Sequence, residues 1–243
     1  MFIDSYNGAD EEITVPGTAQ VEGVTYPVTA INADKLSPYE VQRIVLESGF
    51  ILPGNCDFYF WSRPNLVSVD ISAADASLVT SMYGMFSGCS SLQEVNFGSI
   101  DVSNVSSVYN LFDNCSSLEE VDLSCFSGTG NVDELSQMFI GCSNLRRVNL
   151  GGWDWNNTYY VYGVFDGCNN LEEIVTPANV SNSIELPVCM ADENGTLYKE
   201  LPRFTDSITL HVVEVPKWLE DYSFSVEEEQ TIRLSNYHGN ATT

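Results

Sequence analysis

Apolar residues recur along the middle of the chain in two alternating rhythms. The first runs at i, i+3, i+6 and i+7: Val79, Met82, Met85 and Phe86. It returns as Val105, Val108, Leu111 and Phe112, and again as Val132, Leu135, Met138 and Phe139. This spacing places one apolar face on a helical turn or two. The second rhythm has period two and predicts a short, half-buried β-strand. It reads Leu66/Val69/Ile71, Leu92/Val95/Phe97, Leu118/Val121/Leu123 and Leu145/Val148/Leu150, with Leu171/Ile174 as a last copy. A further apolar position follows each strand, at Ala74, Ile100, Phe126 and Trp153.

Between the two rhythms stands a fixed anchor, Phe-x-x-Cys-x-x-Leu. Its copies are Phe86/Cys89/Leu92, Phe112/Cys115/Leu118, Phe139/Cys142/Leu145 and Phe165/Cys168/Leu171. The phenylalanines are 26, 27 and 26 residues apart. One step back lies Phe60 with Leu66, where Arg63 fills the cysteine position, a degenerate copy of the kind expected at a capping turn. The additional residue of the longer unit is assigned to the Gly128-Thr129-Gly130 loop. No single unit of this length can bury its apolar face alone, but stacked units share a continuous core.

The predicted fold class is therefore α/β: a leucine-rich-repeat-type solenoid of about five turns, with a parallel β-sheet of one short strand per turn and short helical turns opposite. Its organisation reads as a β-rich N-terminal flank and cap over 1–57, the repeat solenoid over 58–176, and a β-rich C-terminal flank and tail over 177–243. In the first flank, 13–15 and 25–29 are β-prone, and Ser37-Pro38-Tyr39-Glu40 resembles a helix start. In the second, 186–189, 196–201 and 208–213 are β-prone, and the polar tail after 213 reads as partly mobile.

Charge and cysteine count narrow the function classes. Nine Lys and Arg face 34 Asp and Glu, for a net charge of −25. Such a surface repels nucleic acid and anionic membranes, and there is no apolar run long enough for membrane insertion. Residues 1–4 do not read as a signal peptide. The seven cysteines show no CxxC spacing. A column of parallel Cys side chains reads as small apolar packing, with disulfides or metal ligation as the alternatives. No metal site and no cofactor is predicted. The two histidines, His211 and His238, lie outside the repeats, and no nucleotide-binding or hydrolase motif occurs, so no catalytic residue is predicted.

The segment Val79-Thr80-Ser81-Met82-Tyr83-Gly84-Met85-Phe86-Ser87-Gly88-Cys89-Ser90-Ser91-Leu92 resembles the "M-F-x-G-C-x-S-L" unit of BspA-type leucine-rich-repeat surface proteins of bacteria. The resemblance covers roughly 58–176 and extends to flank segments such as Tyr26-Pro27-Val28-Thr29-Ala30-Ile31 and Asn194-Gly195-Thr196-Leu197-Tyr198. It implies a secreted or cell-surface protein, here a fragment without its signal peptide and anchor. It further implies a non-enzymatic adhesion or binding module for a host or extracellular protein or glycan. A structural spacer within a longer surface protein is the alternative. Nothing in the sequence fixes the oligomeric state, and a monomer is the simplest expectation.

Two columns left free by the core pattern are the candidate ligand-binding positions. On the strands the outward residues include Glu94, Glu120, Arg147 and Glu173, with Asp70, Asn96, Asp122 and Asn149 beside them. A solvated acidic face is the bland alternative. The second column stands three residues before each anchor Phe: Tyr83, Tyr109, Ser136 and Tyr162. Trp155, Tyr159 and Tyr160 cluster near its end, with Trp155 expected to be exposed. Tyr and Trp give rigid contact area with a polar tip. Their alternative is packing between coils.

Overall fold

The computed structural model describes residues 2–3, 10–31, 41–180, 182–201, 206–214, 222–227 and 231–237. The expected helix start at Ser37 and His238 lie outside them.

The chain winds into a stacked series of coils whose strands are three residues long. They are β7 (Ser68–Asp70), β8 (Glu94–Asn96), β9 (Glu120–Asp122), β10 (Arg147–Asn149) and β11 (Glu173–Val175). These sit within one residue of the sequence expectation. Earlier strands are β1 (Phe2–Ile3), β2 (Glu12–Val15), the hairpin β3 (Thr18–Val21) and β4 (Val24–Pro27), β5 (Ala30–Ile31) and β6 (Arg43–Leu46). The parallel ladder begins among them, since β2 pairs with β6, β6 with β7 and β7 with β8. It resumes as β9–β10–β11. Beyond β11 the sheet turns antiparallel: β14 (Thr209–Val212) covers the β11 edge, followed by β12 (Ile184–Ala191) and β13 (Leu197–Leu201). That cap covers the β11 edge, which would otherwise invite strand addition. The stretch read as a polar tail carries a paired hairpin, β15 (Tyr222–Glu227) and β16 (Thr231–Tyr237).

The solenoid stands as expected, but the helical turns do not form. Residues 79–92 and their copies run as successive β-turns with sideways pairing. The amides of Met82, Gly84, Phe86 and Gly88 donate to the carbonyls of Ser107, Tyr109, Leu111 and Asp113 in the next coil, at 2.7–3.0 Å. The intervening amides of Met85, Ser87 and Cys89 turn back three residues within their own coil. A helix would direct every amide along its own axis. The turn run needs left-handed backbone at two places per coil. They are Gly84 and Gly88, Asn110 and Asn114, Gln137 and Gly141, Gly163 and Gly167, and Phe58 and Ser62 in the first coil. Glycine and asparagine adopt this conformation readily and are poor helix formers. The apolar spacing of 3, 3 and 1 is thus met by turns as well as by a helix.

Inside, each repeat position becomes a column. Phe60, Phe86, Phe112, Phe139 and Phe165 stack face to face, with centroids 5.5–5.7 Å apart and planes within 13°. All five are buried. The cysteine column is packing of a specific kind. The thiols of Cys89, Cys115, Cys142 and Cys168 donate to the carbonyls of Phe60, Phe86, Phe112 and Phe139, each one coil back, at 3.0–3.2 Å. All seven cysteines are free. Burial pushes the thiols of Cys56 and Cys168 up to about 12 and that of Cys89 up to about 11. Arg63 is buried in the first coil's cysteine position. The 27-residue unit takes up its additional residue at Gly128, in left-handed conformation ahead of a 3-10 turn over Thr129–Asn131.

One junction differs. No strand pairing joins β8 to β9, although both belong to regular coils. Phe97 occupies the inward position held by Ile71, Leu123 and Leu150 in the other coils. It lies edge-on to Phe86, Phe112 and Phe126 at 4.8–6.4 Å. Phe97 is the one aromatic ring at this position, and beside it Val95 is half-exposed where Val69, Val121 and Val148 are buried.

Candidate functional site

The strand face and the turn face offer different chemistry. On the strand face Glu94, Asn96, Glu120, Asp122, Arg147 and Glu173 help to line a shallow trough of about 520 Å³. Arg147 is not a free cation, because its guanidinium pairs with Glu120. His211 from the cap lies 3.3 Å from Glu173. Arg146 on the neighbouring loop forks onto Glu172 at 2.9 and 3.0 Å.

The residues beside this column are structural. Asp70, Asn96, Asp122 and Asn149 accept the amides of Ser72, Gly98, Ser124 and Gly151 at 2.9–3.1 Å. They close the corner after each strand as Asx-turns. Burial opposes ionisation of Asp70, but the hydroxyl and amide of Ser72 and the amide of Asn96 outweigh it and hold its carboxyl below the ordinary value.

On the turn face the tyrosine column is a connected strip. Phe58 packs on Tyr83 (4.7 Å between centroids) and Tyr83 on Tyr109 (4.9 Å). Ser136, fully buried, interrupts the column. Tyr109 leans across that gap: its hydroxyl donates to Gln137 Oε1 at 2.7 Å and lies 3.4 Å from the Tyr162 hydroxyl. The hydrogen bond with Tyr162 raises the Tyr109 phenol to about 12. Trp61 sits edge-on to Phe58 at 6.0 Å.

The ends of the strip are open to solvent and its centre is half-buried. Phe58 and Trp61 are 43% and 52% exposed, and Tyr159, Tyr160 and Tyr162 are 73%, 58% and 59% exposed. Asn55, Ser81, Ser107, Glu134 and Tyr160 form a ladder of parallel bridges alongside.

Trp155 is corrected: it is 1% exposed, edge-on to Trp153 at 6.4 Å. It stands in the inward column of Ala76, Val102 and Thr129, three residues before the next inward position in each coil. Sequence reading missed Phe58, Trp61 and Gln137. The available signal was that Phe58 and Trp61 are aromatic in the degenerate copy where the later copies carry Gly84 and Ser87.

Among the described residues no group of three or more His, Cys, Asp or Glu is placed to hold a metal. None of their helices is long and apolar enough to cross a membrane.

Residues 55–179 match the family described as "Mycoplasma protein of unknown function, DUF285". The chain belongs to the DUF285 family. The matched span of DUF285 holds all five anchor phenylalanines and the whole aromatic strip. The fold is similar to a leucine rich cell surface protein from Faecalibacterium prausnitzii A2-165, with 17% identity and a TM-score of 0.48, over 81% of this chain and 55% of that one. It is also similar to a leucine-rich repeat protein from Bacteroides ovatus, with 18% identity and a TM-score of 0.41, over 70% of this chain and 46% of that one. The chain thus spans about half the length of these two structures. No curated protein matches it. The resemblance of the repeat motif to BspA-type leucine-rich-repeat surface proteins stands beside these similarities.

Proposed function

We propose that this chain is a non-enzymatic binding module of a bacterial cell-surface protein, holding an extracellular or host macromolecule against its turn face. The observation that carries the reading is the aromatic strip, whose rings pack on one another over coils joined by backbone hydrogen bonds. Rigid aromatic side chains lose little conformational freedom on binding and dominate interface energetics. The strand face supports the reading less, since Arg147 is paired with Glu120 and the neighbouring polar residues close corners. The nucleophile-bearing side chains of the coils are also poor reagents: the anchor thiols are buried and pushed up by that burial.

The test is a screen of the soluble chain against extracellular proteins and glycans. The Tyr83/Tyr109/Tyr162 triple alanine variant and Arg147→Glu are then compared on whatever binds. The triple variant should lose binding and the charge reversal should not. Binding lost only on charge reversal would move the site to the strand face. A chain that retains its fold and binds nothing in either screen would leave the spacer reading.

A further inference from the structure

We infer that the turn face is a track for an uncharged or amine-bearing oligosaccharide lying along the solenoid axis, across the coils. This rests on the reading of the strip as the binding site and names its ligand class.

Three features argue for it. The first is the kind of surface. Beside the ring faces stand Asn55, whose side-chain oxygen accepts the Asp57 amide, Ser107, whose hydroxyl oxygen accepts the Tyr109 amide, and the Gln137 amide group next to Tyr109, while Ser81 is held by Asp57. A sugar ring offers C–H faces to an aromatic ring and hydroxyls to such neighbours.

The second feature is length. Phe58 with Trp61, and Tyr162 with Tyr160, stand four coil junctions apart. At about 4.8 Å per strand spacing, the two open ends are about 19 Å apart. The half-buried Tyr83 and Tyr109 bridge them without a break. A disaccharide can cover one end only, whereas a longer chain engages both. The second end then binds at high effective concentration.

The third is charge. Asp57 accepts the Tyr83 amide, Asp133 takes the Tyr159 and Tyr160 amides on its backbone carbonyl, and Glu134 is bridged to Tyr160, on a chain with net charge −25. Sulfated and sialylated chains are repelled, while neutral and amino sugars are not.

The experiment uses the full chain on an array of neutral, amine-bearing, sulfated and sialylated glycans. Calorimetry follows with two- to six-unit oligomers of the neutral or amine-bearing series that scores. Six units should bind at least tenfold tighter than two. Trp61→Ala and Tyr162→Ala should each weaken the six-unit ligand at least tenfold while leaving the two-to-six ratio smaller. Both side chains are more than half exposed, so unfolding should be unaffected, and Glu185→Gln, exposed on β12 of the cap, serves as the unaffected control. Binding dominated by sulfated or sialylated glycans overturns the inference, as does affinity independent of length. A blank array with strip-dependent capture of a protein overturns the ligand class and leaves the site standing. A blank array and no protein binding overturn both.

Discussion

The turn side and the strand side of the same coils are held together differently. On the turn side every junction among the five anchor phenylalanines is the same: a stacked ring, a thiol reaching back to a carbonyl, and alternate amides donated to the next coil. On the strand side pairing stops between β8 and β9 and resumes beyond. Both sides are built from one repeat, so the difference comes from the columns. The Phe-x-x-Cys-x-x-Leu positions admit one residue type each in the four regular copies, and only the first coil departs, with Arg63 at the cysteine position. The inward strand position admits Ile71, Phe97, Leu123 and Leu150, and the single aromatic ring stands where the pairing stops. Cohesion therefore resides in the turn side, the side that carries the exposed aromatic strip.

Four measurements can break or sharpen this contrast. The largest effect is expected from Phe112→Ala, which removes the central ring of the stack. It should cost about 3–5 kcal/mol in urea unfolding, as buried Phe truncations do. A loss under about 1 kcal/mol would show that the stack is not the cohesive element. Leu118→Ala, beside it, should cost about 2–5 kcal/mol.

Next comes alkaline pH. An unfolded thiol ionises near its ordinary value, whereas those of Cys89 and Cys168 are raised to about 11 and about 12. Between pH 9 and those values the unfolded state has released protons that the folded state keeps. Stability from the thiol column is therefore full below pH 9 and lost as pH rises. The urea midpoint should fall from pH 8 to pH 11, and Cys89→Ala should fall less steeply. Equal slopes would mean that the column plays no part.

A smaller effect is expected for Gly167→Ala. Its φ is +83° and an added Cβ would meet Gly141 backbone at 3.3 Å. Left-handed backbone on a non-glycine residue costs about 1–2 kcal/mol. Gly130→Ala, with nothing within 4 Å of the added carbon, should stay within about 0.5 kcal/mol. Similar losses at both would remove the special demand of the turn side.

A modest loss of stability, about 1 kcal/mol, is expected for Phe97→Leu. Its readout is hydrogen exchange. Amides of Glu120–Asp122 should exchange more slowly once β8 and β9 can pair. Unchanged exchange would clear Phe97 of holding the strands apart.

Much of this was legible because repetition multiplies a weak signal. One Val-x-Leu pair says little, but four at a fixed period located each strand to within a residue and named the core columns, including Trp153. Arg63 marks a coil of different chemistry but not the end of the sheet, which continues through β6 and β2. Three things were not legible, for physical reasons. The spacing of Val79, Met82, Met85 and Phe86 suits a helix and a run of turns equally, and only the lateral hydrogen bonds decide. Trp155 was read by its surroundings rather than by its place in the column of Val102 and Thr129. The strip was seen in part, because Tyr109 reaches Tyr162 across a coil that has no tyrosine, which spacing alone does not show.

The sameness of the turn-side junctions has a consequence for inheritance. A duplicated unit placed between Phe86 and Phe112 meets no contact that the chain does not already make: its ring finds a ring, its thiol a carbonyl and its amides a waiting row of acceptors. Length can therefore change in whole quanta, each adding about 4.8 Å of surface. Unequal recombination between near-identical units becomes a means of tailoring how far the molecule reaches, with no need to reinvent its interior.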